Sequence, residues 1–426
     1  MSKTYLYFVF SILFLSSCLD SNQSELNKVF PELLGDNGLS PAMNVYTVNK
    51  DKFYNIAGEK YFIGAGFQPS VLLDTEGAIH VFFQARLGGS GDRAPKLIAH
   101  VISTDGGKSF SEVKFVSNVP MQTYAISSFF HILPSGTNRL SLLTSLSIDE
   151  TVERLKDTAL IKQLLGIDVT RFSRKGAALI LEYYSDDLGL TWKRKEHYDI
   201  TDRVYHRNGK EYYLAFMNLI GQVRRIDDGP FKGRLILGGP LRGSYLPCED
   251  YPHFRDYQSS SSVIYSDDNG ESWKFGGVIS DSTAFIHNEA SAVAVDNGIK
   301  ILMVRRSNKR GVEGKTLHYS KDGGETWGDG FLSNIPATQC LQVLESTNDL
   351  VLCSLPANRN RSEGSIYVSD DNGQNWTPRL IEKGAFSYST VNHLSGDYYI
   401  CCYSQGHHGQ IGIAARIFSK DWLVAK

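Results

Sequence analysis

Five copies of one eight-residue pattern punctuate this chain, at Ser103–Phe110, Ser185–Trp192, Ser266–Trp273, Ser320–Trp327 and Ser369–Trp376. The shared form is Ser-x-Asp-x-Gly-x-(Ser/Thr/Asn)-(Trp/Phe). A unit repeated in order along a chain constrains the architecture more than any single residue does. The central Asp and Gly make a tight turn, because the carboxylate can accept backbone N–H bonds and Gly can take positive φ. The closing aromatic supplies a large apolar surface to pack beside that turn. Strand-forming runs such as Lys96–Ser103, Ser259–Ser266 and Gly364–Ser369 lead into the copies, so each copy reads as the turn of a hairpin.

The segment around the fourth copy shows the larger unit. His287–Val295 reads as a strand, Asp296–Gly298 as a turn and Ile299–Arg305 as a second strand. A loop follows, then a third strand at Lys315–Ser320, the Asp-Gly turn and a fourth strand. The same order starts again near Gln68, Ser127, Gly221, His287, Gln339 and Ser387, which makes six antiparallel units. Such sheets arranged radially form an all-β, six-bladed β-propeller, here spanning residues 43–426. The sixth unit is short of a strand, and the stretch near Asn44–Asn49 is expected to complete it and close the ring. Between Ile148 and Ser173 the rhythm breaks: Val152, Leu155, Ala159, Leu160 and Leu164 recur at helical spacing and Gly166 ends the run. This predicts a helical insertion in the second blade.

The first residues read as a processing signal. Lys3 precedes the apolar run Leu6–Leu15, which is too short to span a bilayer and fits a signal peptide over residues 1–17. Leu15-Ser-Ser-Cys18 resembles a bacterial lipobox, which implies acylation of Cys18, a polar tether over 18–42 and a place in the bacterial cell envelope on a lipid bilayer. The formal charge of −2 gives no support for a nucleic-acid partner. Without Cys18, five cysteines remain, an odd number with no CxxC pair, so a disulfide framework is not expected. No set of residues has metal-ligand spacing.

In an antiparallel four-stranded unit, the turns joining strands one to two and three to four share one end. The repeated Asp residues therefore collect on one face of the ring as structural turns. Chemistry belongs at the opposite, upper face. Glu289 begins a first strand there and Arg305 ends the paired second strand, each eight residues from Asn297 in the turn, so the two are expected to face each other. Asp92 sits in the upper loop Leu87–Pro95, Arg359 and Arg361 in the upper loop Pro356–Gly364, and Tyr388 at the start of the sixth blade.

These residues carry a specific resemblance. The five turns are similar to the Asp boxes of the sialidase superfamily, and six units match its propeller. His287-Asn-Glu289, Asp296-Asn-Gly298 and Met303-Val-Arg305 resemble that family's Glu…Asp-Gly…Arg segment. Gly89–Asp92 resembles the loop carrying its acid/base Asp, Phe386-Ser-Tyr388-Ser its nucleophilic Tyr segment, and Arg361 an Arg that grips the substrate carboxylate. The likeness spans nearly all of residues 60–418. One departure stands out: the family opens its first blade with Phe/Tyr-Arg-Ile-Pro, where this chain has Phe67-Gln68-Pro69, leaving Gln68 at the place of a triad arginine. Arg86 does not obviously replace it, since family members often carry an Arg there too.

The resemblance implies retaining hydrolysis of a terminal α-ketoside, sialic acid or a related acidic sugar, with no metal or organic cofactor. Arg305 and Arg361 would hold the anion, with Gln68 beside them; Tyr388 would attack, Glu289 would serve as its base, and Asp92 as acid and base toward the leaving group. The competing class is a propeller that binds glycans without cleaving them, or a hydrolase of a different terminal sugar. Retention of Asp92, Glu289 and Tyr388 together favours the enzyme; the missing arginine favours a changed ligand.

Overall fold

The computed structural model describes residues 29–425, apart from 57, 93, 122–125, 148–157, 166–167, 169–177, 198–203, 208–209, 218, 220, 246–257, 280–286, 308–313, 339, 348 and 407–409. Six antiparallel sheets are arranged as the blades of a propeller. Blade one runs from Ile63 to Phe115, blade two from Ser127 to Glu196, blade four from His287 to Leu332 and blade five from Val343 to Ala385. Blade six takes Ser389–Ser395, Tyr398–Gln405 and Gly412–Ser419 and is completed by Met43–Tyr46, which pairs antiparallel with Gly412–Ser419. The ring is thus closed by hydrogen bonds between the two ends of the domain, within a residue or two of the stretch expected from sequence.

Blade three is irregular. Its inner strand is divided: Arg224–Arg225 pairs with the lower part of the long strand Leu235–Tyr245, while the hairpin of Val204–Arg207 and Lys210–Met217 pairs with the upper part. Gly221–Gln222 instead lies parallel to Ser127–Ser128 of blade two. The insertion in blade two contains the helix Thr158–Leu165, whose Ile161 is fully buried against Leu142, Leu146 and Leu179.

The repeated turns do structural work. In the third copy the Ser266 hydroxyl donates to Asp268 at 2.7 Å and accepts from Gly270 N at 2.8 Å. Asp268 also accepts from Ser272 N at 2.9 Å. The other four copies repeat this pattern. Each Asp carboxylate is consumed by its own turn, which leaves it no catalytic role. The hydroxyls of Ser185 and Thr191 hold Asp187 down to about 2, well below the usual carboxylate range. Trp273 and Trp376 fill the space between blades almost completely buried.

The inner strands are tied across the axis. Arg224 donates to Leu344 O at 2.9 Å, Glu345 at 2.7 Å, Asn392 at 2.8 Å and Val391 O at 2.7 Å, joining blade three to blades five and six. Asn392 in turn donates to Val71 O of blade one at 2.8 Å.

One expectation is corrected. Residues 18–42 are not a free tether throughout: from residue 29 the chain docks on the propeller. Phe30 is fully buried in the core of blades one and six, and Ser40 N donates to Ile417 O at 2.9 Å. Apolar side chains at Val29, Phe30, Leu33 and Leu34 gain more by leaving water than a polar linker would. Cys18 and the apolar run before it lie outside the described residues. The four described cysteines, Cys340, Cys353, Cys401 and Cys402, are free and buried.

Candidate active site

The upper ends of blades one, four, five and six bring together Asp92, Gln68, Glu289, Arg361 and Tyr388. Three of these five sit in the left-handed region of backbone space: Gln68 at φ 52, Glu289 at φ 63 and Arg361 at φ 56. Non-glycine residues rarely remain there unless the surroundings force them, and such strain concentrates at functional sites.

Gln68 and Glu289 lie at breaks in strand register, and Arg361 lies just before one. In blade one, Phe67 pairs with Gln84 and Ser70 with Phe82, so Gln68 and Pro69 together oppose a single residue. Proline has no N–H to give the ladder, so the interruption falls there. In blade four, Asn288 pairs with Arg306 and Ala290 with Arg305, leaving Glu289 as the extra residue of a β-bulge. This corrects the expectation that Glu289 faces Arg305. The hairpin register is offset by one residue from symmetry about Asn297, and the bulge re-aims the Glu289 side chain. In blade five the register breaks between Ser362 and Gly364, and the loop before it is built on Asn358, whose side-chain oxygen accepts from Asn360 N and Ser362 N. Arg361 O accepts from Phe386 N at 2.8 Å, which locks this loop to the segment carrying Tyr388. Gly364 is required here because a Cβ would lie 2.0 Å from the Phe386 ring.

Tyr388 is the hub. The Glu289 carboxylate and the Arg361 guanidinium both neighbour its phenol, the first raising and the second lowering its pKa. The Arg361 guanidinium carbon lies 5.2 Å from the Tyr388 ring centre. Leu341 and Val343 pack against the ring. Burial, and then the adjacent Glu289 carboxylate, raise the Tyr388 phenol above its ordinary value, so it rests protonated. Burial opposes the charge on Arg361, but the neighbouring Cys340, Tyr388 and Glu289 outweigh it and raise its pKa. The Glu289 backbone is held by Gln342, whose amide donates to Glu289 O at 2.7 Å and accepts from the fully buried Lys315 at 3.0 Å.

The opposite wall belongs to blade one. Phe67 meets Tyr388 edge-on, with ring centres 6.1 Å apart. Arg86 lies over the other side of the Phe67 ring at 3.8 Å. It pairs with Asp92 at 2.9 Å and donates to Ser90 O at 2.6 Å and to Gln84 at 3.1 Å. Gln84 bridges on to Gln68 at 3.4 Å. The Asp92 side chain is 94% exposed, so its carboxylate is open to a ligand while held at one oxygen. Burial lowers the Arg86 pKa more than the Asp92 carboxylate raises it, and Arg361 lowers it further. Arg86 and Arg361 thus stand on either side of the Phe67–Tyr388 pair as two cations of one site.

This reverses the sequence reading of the arginines. Arg86 joins the cluster although sequence comparison set it aside. Arg305, expected to bind substrate, has no exposed surface; it donates to Ser261 of blade three at 3.1 Å and meets His318 of its own blade at 2.9 Å. As it stands it braces the wall between blades three and four. Arg359, the neighbour weighed against Arg361, is exposed. The signal for Arg86 was present in the chain: it lies six residues before Asp92, across a Gly-rich loop that turns back on it.

Residues 172–400 match the family model described as a BNR repeat-like domain, which is more than half of the chain. The chain belongs to this BNR repeat-like family. Its relatives and its six-bladed arrangement place it in the sialidase superfamily. It is 24% identical over 373 residues to a sialidase of Micromonospora viridifaciens, covering 83% of this chain and 51% of that protein. The chain therefore spans about half the length of that curated relative. Among solved structures, the Hadza microbial sialidase Hz136 superposes with a TM-score of 0.63 at 16% identity, over 89% of this chain and 68% of that one. An α-L-arabinanase of Penicillium chrysogenum complexed with arabinobiose superposes with a TM-score of 0.53 at 13% identity, over 88% and 98%. These superpositions establish the shared fold.

Proposed function

We propose that this BNR-repeat propeller is an exo-acting, retaining glycoside hydrolase that removes terminal sialic acid, or a related acidic sugar, from glycans. The observation that carries the reading is the neighbouring group Glu289–Tyr388–Arg361, faced across Phe67 by Arg86 and Asp92. Tyr388 attacks the anomeric carbon as its proton passes to Glu289. A neutral phenol suits a sugar with a carboxylate at that carbon, because an anionic nucleophile would be repelled. Arg361 and Arg86 hold the carboxylate by charge-assisted hydrogen bonds. Asp92 gives a proton to the departing glycosidic oxygen; in the second step it takes one from water, which attacks the same carbon and releases Tyr388 as Glu289 returns its proton to the phenolate. Two displacements give net retention.

The deciding experiment is proton NMR of a fluorogenic α-sialoside during hydrolysis, beside neutral aryl glycosides. Release of the α-anomer first supports the reading; no turnover of any acidic glycoside overturns it.

A second reading has its own support. Gln68 stands where the superfamily resemblance expects an arginine, and Arg305 is buried, so the anion site rests on a different pair of cations. A hydrolase of another terminal sugar, or a glycan-binding propeller, would share this geometry; turnover of a neutral glycoside, or binding without turnover, would select between them. We further propose that Cys18 is acylated and holds the propeller at a bacterial membrane. Secure anchoring takes more than one acyl chain, and intact-mass analysis showing an unmodified Cys18 in the mature protein would sink this proposal.

A further inference from the structure

The loop that carries Asp92 has little stiffness of its own. Gly88, Gly89 and Gly91 lie in it, and a Cβ at any of them would meet nothing within 4 Å. Such a segment has many conformations to lose, so something outside it must hold the carboxylate in one place. Two cations at the upper ends of neighbouring strands do this. Arg86 and Lys96 are register partners across the second and third strands of blade one. Arg86 binds Ser90 O and the Asp92 carboxylate. Lys96 is buried, 4% exposed, and its ammonium donates to Asp92 O at 2.5 Å and Ala94 O at 3.1 Å. The base of Lys96 is itself fixed, since its N–H donates to Met121 O at 2.7 Å and its C=O accepts from Met121 N at 3.0 Å.

The two cations differ in what they grip. Arg86 grips one backbone carbonyl, Ser90 O, but its hold on Asp92 is on the carboxylate, which must leave it to meet the glycosidic oxygen. The Lys96 contacts are to backbone carbonyls, which stay in place whatever the carboxylate does. We propose that Lys96 is the positioning residue for Asp92, clamping both carbonyls of the loop so that the carboxylate is presented to the leaving group through both steps. The inference rests on the reading of Asp92 as acid and base. Lys96 acts through the loop and does not itself meet the substrate.

The test uses the dependence of rate on the leaving group. An acid matters greatly for a sugar leaving group and little for an acidic phenol, whose oxygen departs without a proton. The ratio kcat/KM of the full-length protein, which reports the first displacement and not the second, is measured on a series of aryl sialosides of graded phenol acidity and on a sialyl-lactose, for wild type, Asp92→Ala and Lys96→Met. Lys96→Met is expected to lose about 10–100-fold on sialyl-lactose, within the range of general acid catalysis, and about twofold or less on the most acidic phenol. Lys96→Arg, which keeps a donor, should recover part of the loss. A uniform loss across the series, or none, overturns the proposal. If Lys96→Met does not fold, Lys96→Gln decides by the same comparison. An Asp92→Ala protein with no leaving-group dependence overturns the acid/base reading and this inference together; dependence in Asp92→Ala but not in the Lys96 variants overturns this inference alone.

Discussion

Tyr388 of the sixth blade and Glu289 of the fourth are neighbours at the upper face of the ring, the carboxylate raising the pKa of the phenol, with the Arg361 guanidinium of the fifth blade 5.2 Å from the same ring. Glu289 reaches this place as the extra residue of a bulge. Without that bulge its side chain would follow the regular alternation of the strand.

Tyr388→Phe, Glu289→Gln and Asp92→Ala are each expected to lower turnover by about 10²–10⁴-fold, the usual range for removing acid–base or nucleophilic assistance. Circular dichroism and thermal melting should stay close to wild type, since Tyr388→Phe keeps the ring that packs on Leu341 and Val343, Glu289→Gln keeps its size and Asp92 is exposed. Asp268→Ala is the contrast. It deletes the acceptor for Ser272 N and the Ser266 hydroxyl, so it should lower stability by about 1–3 kcal/mol while folded protein keeps its turnover number.

The arginines should separate by what they hold. A charge-assisted hydrogen bond contributes about 1.5–3 kcal/mol, so Arg361→Gln and Arg86→Gln should each weaken binding of an acidic sugar by roughly 10–150-fold. Arg305→Gln should instead show itself in the denaturation midpoint, because Ser261 and His318 lose their buried partner. Calorimetric titration with sialic acid, with urea unfolding alongside, checks both. Equal loss of affinity in Arg305→Gln would return that residue to the ligand site.

Gly64 lies directly beneath the Asp92 loop. A Cβ there would sit 2.6 Å from the carbonyl carbon and oxygen of Gly89. Backbone cannot yield as a flexible side chain can, so Gly64→Ala should push the loop outward. A displacement near 1 Å can cost about 10²-fold in rate. The expected outcome is a fall in turnover on poor leaving groups, with little change in the affinity for free sugar.

Stability should fall in mild acid for a nameable reason. His100 is stacked on Phe82 at 4.4 Å, with Trp192 edge-on, and is bonded to His80 at 3.0 Å, which is bonded in turn to Asp74 at 3.0 Å. Burial, and then His80 and Lys114, hold the His100 pKa well below 6.5. The unfolded chain takes up a proton near pH 6.5 that the folded chain does not. The contribution is therefore complete above about pH 6.5 and declines below it, by up to about 1.4 kcal/mol per pH unit. Burial lowers His131 in the same sense. Urea unfolding between pH 7 and 5 should show this slope, and His100→Gln, which keeps an acceptor without titrating, should flatten part of it.

Much of the architecture was legible in the chain because it repeats. The turn motif encodes its own hydrogen bonds within eight residues, so five copies locate five hairpins, and strand periodicity then gives blade starts and the upper and lower ends. That logic was enough to send Asp92, Glu289, Arg361, Tyr388 and Gln68 to one face and to supply the closing strand at Met43–Tyr46. Tertiary structure decided what each side chain meets. A single bulged residue moved Glu289 out of register with Arg305, and nothing in the spacing announces a bulge. Arg305 turned toward Ser261 of another blade and Arg86 folded back over Phe67 to Asp92. The polar stretch before residue 43 docked from Val29 because blades one and six form an apolar seat for Phe30. Local hydrogen bonding and alternation are properties of neighbouring residues, and so are written in the sequence; the pairing of charges and apolar surfaces between blades depends on which segments the closed ring brings side by side.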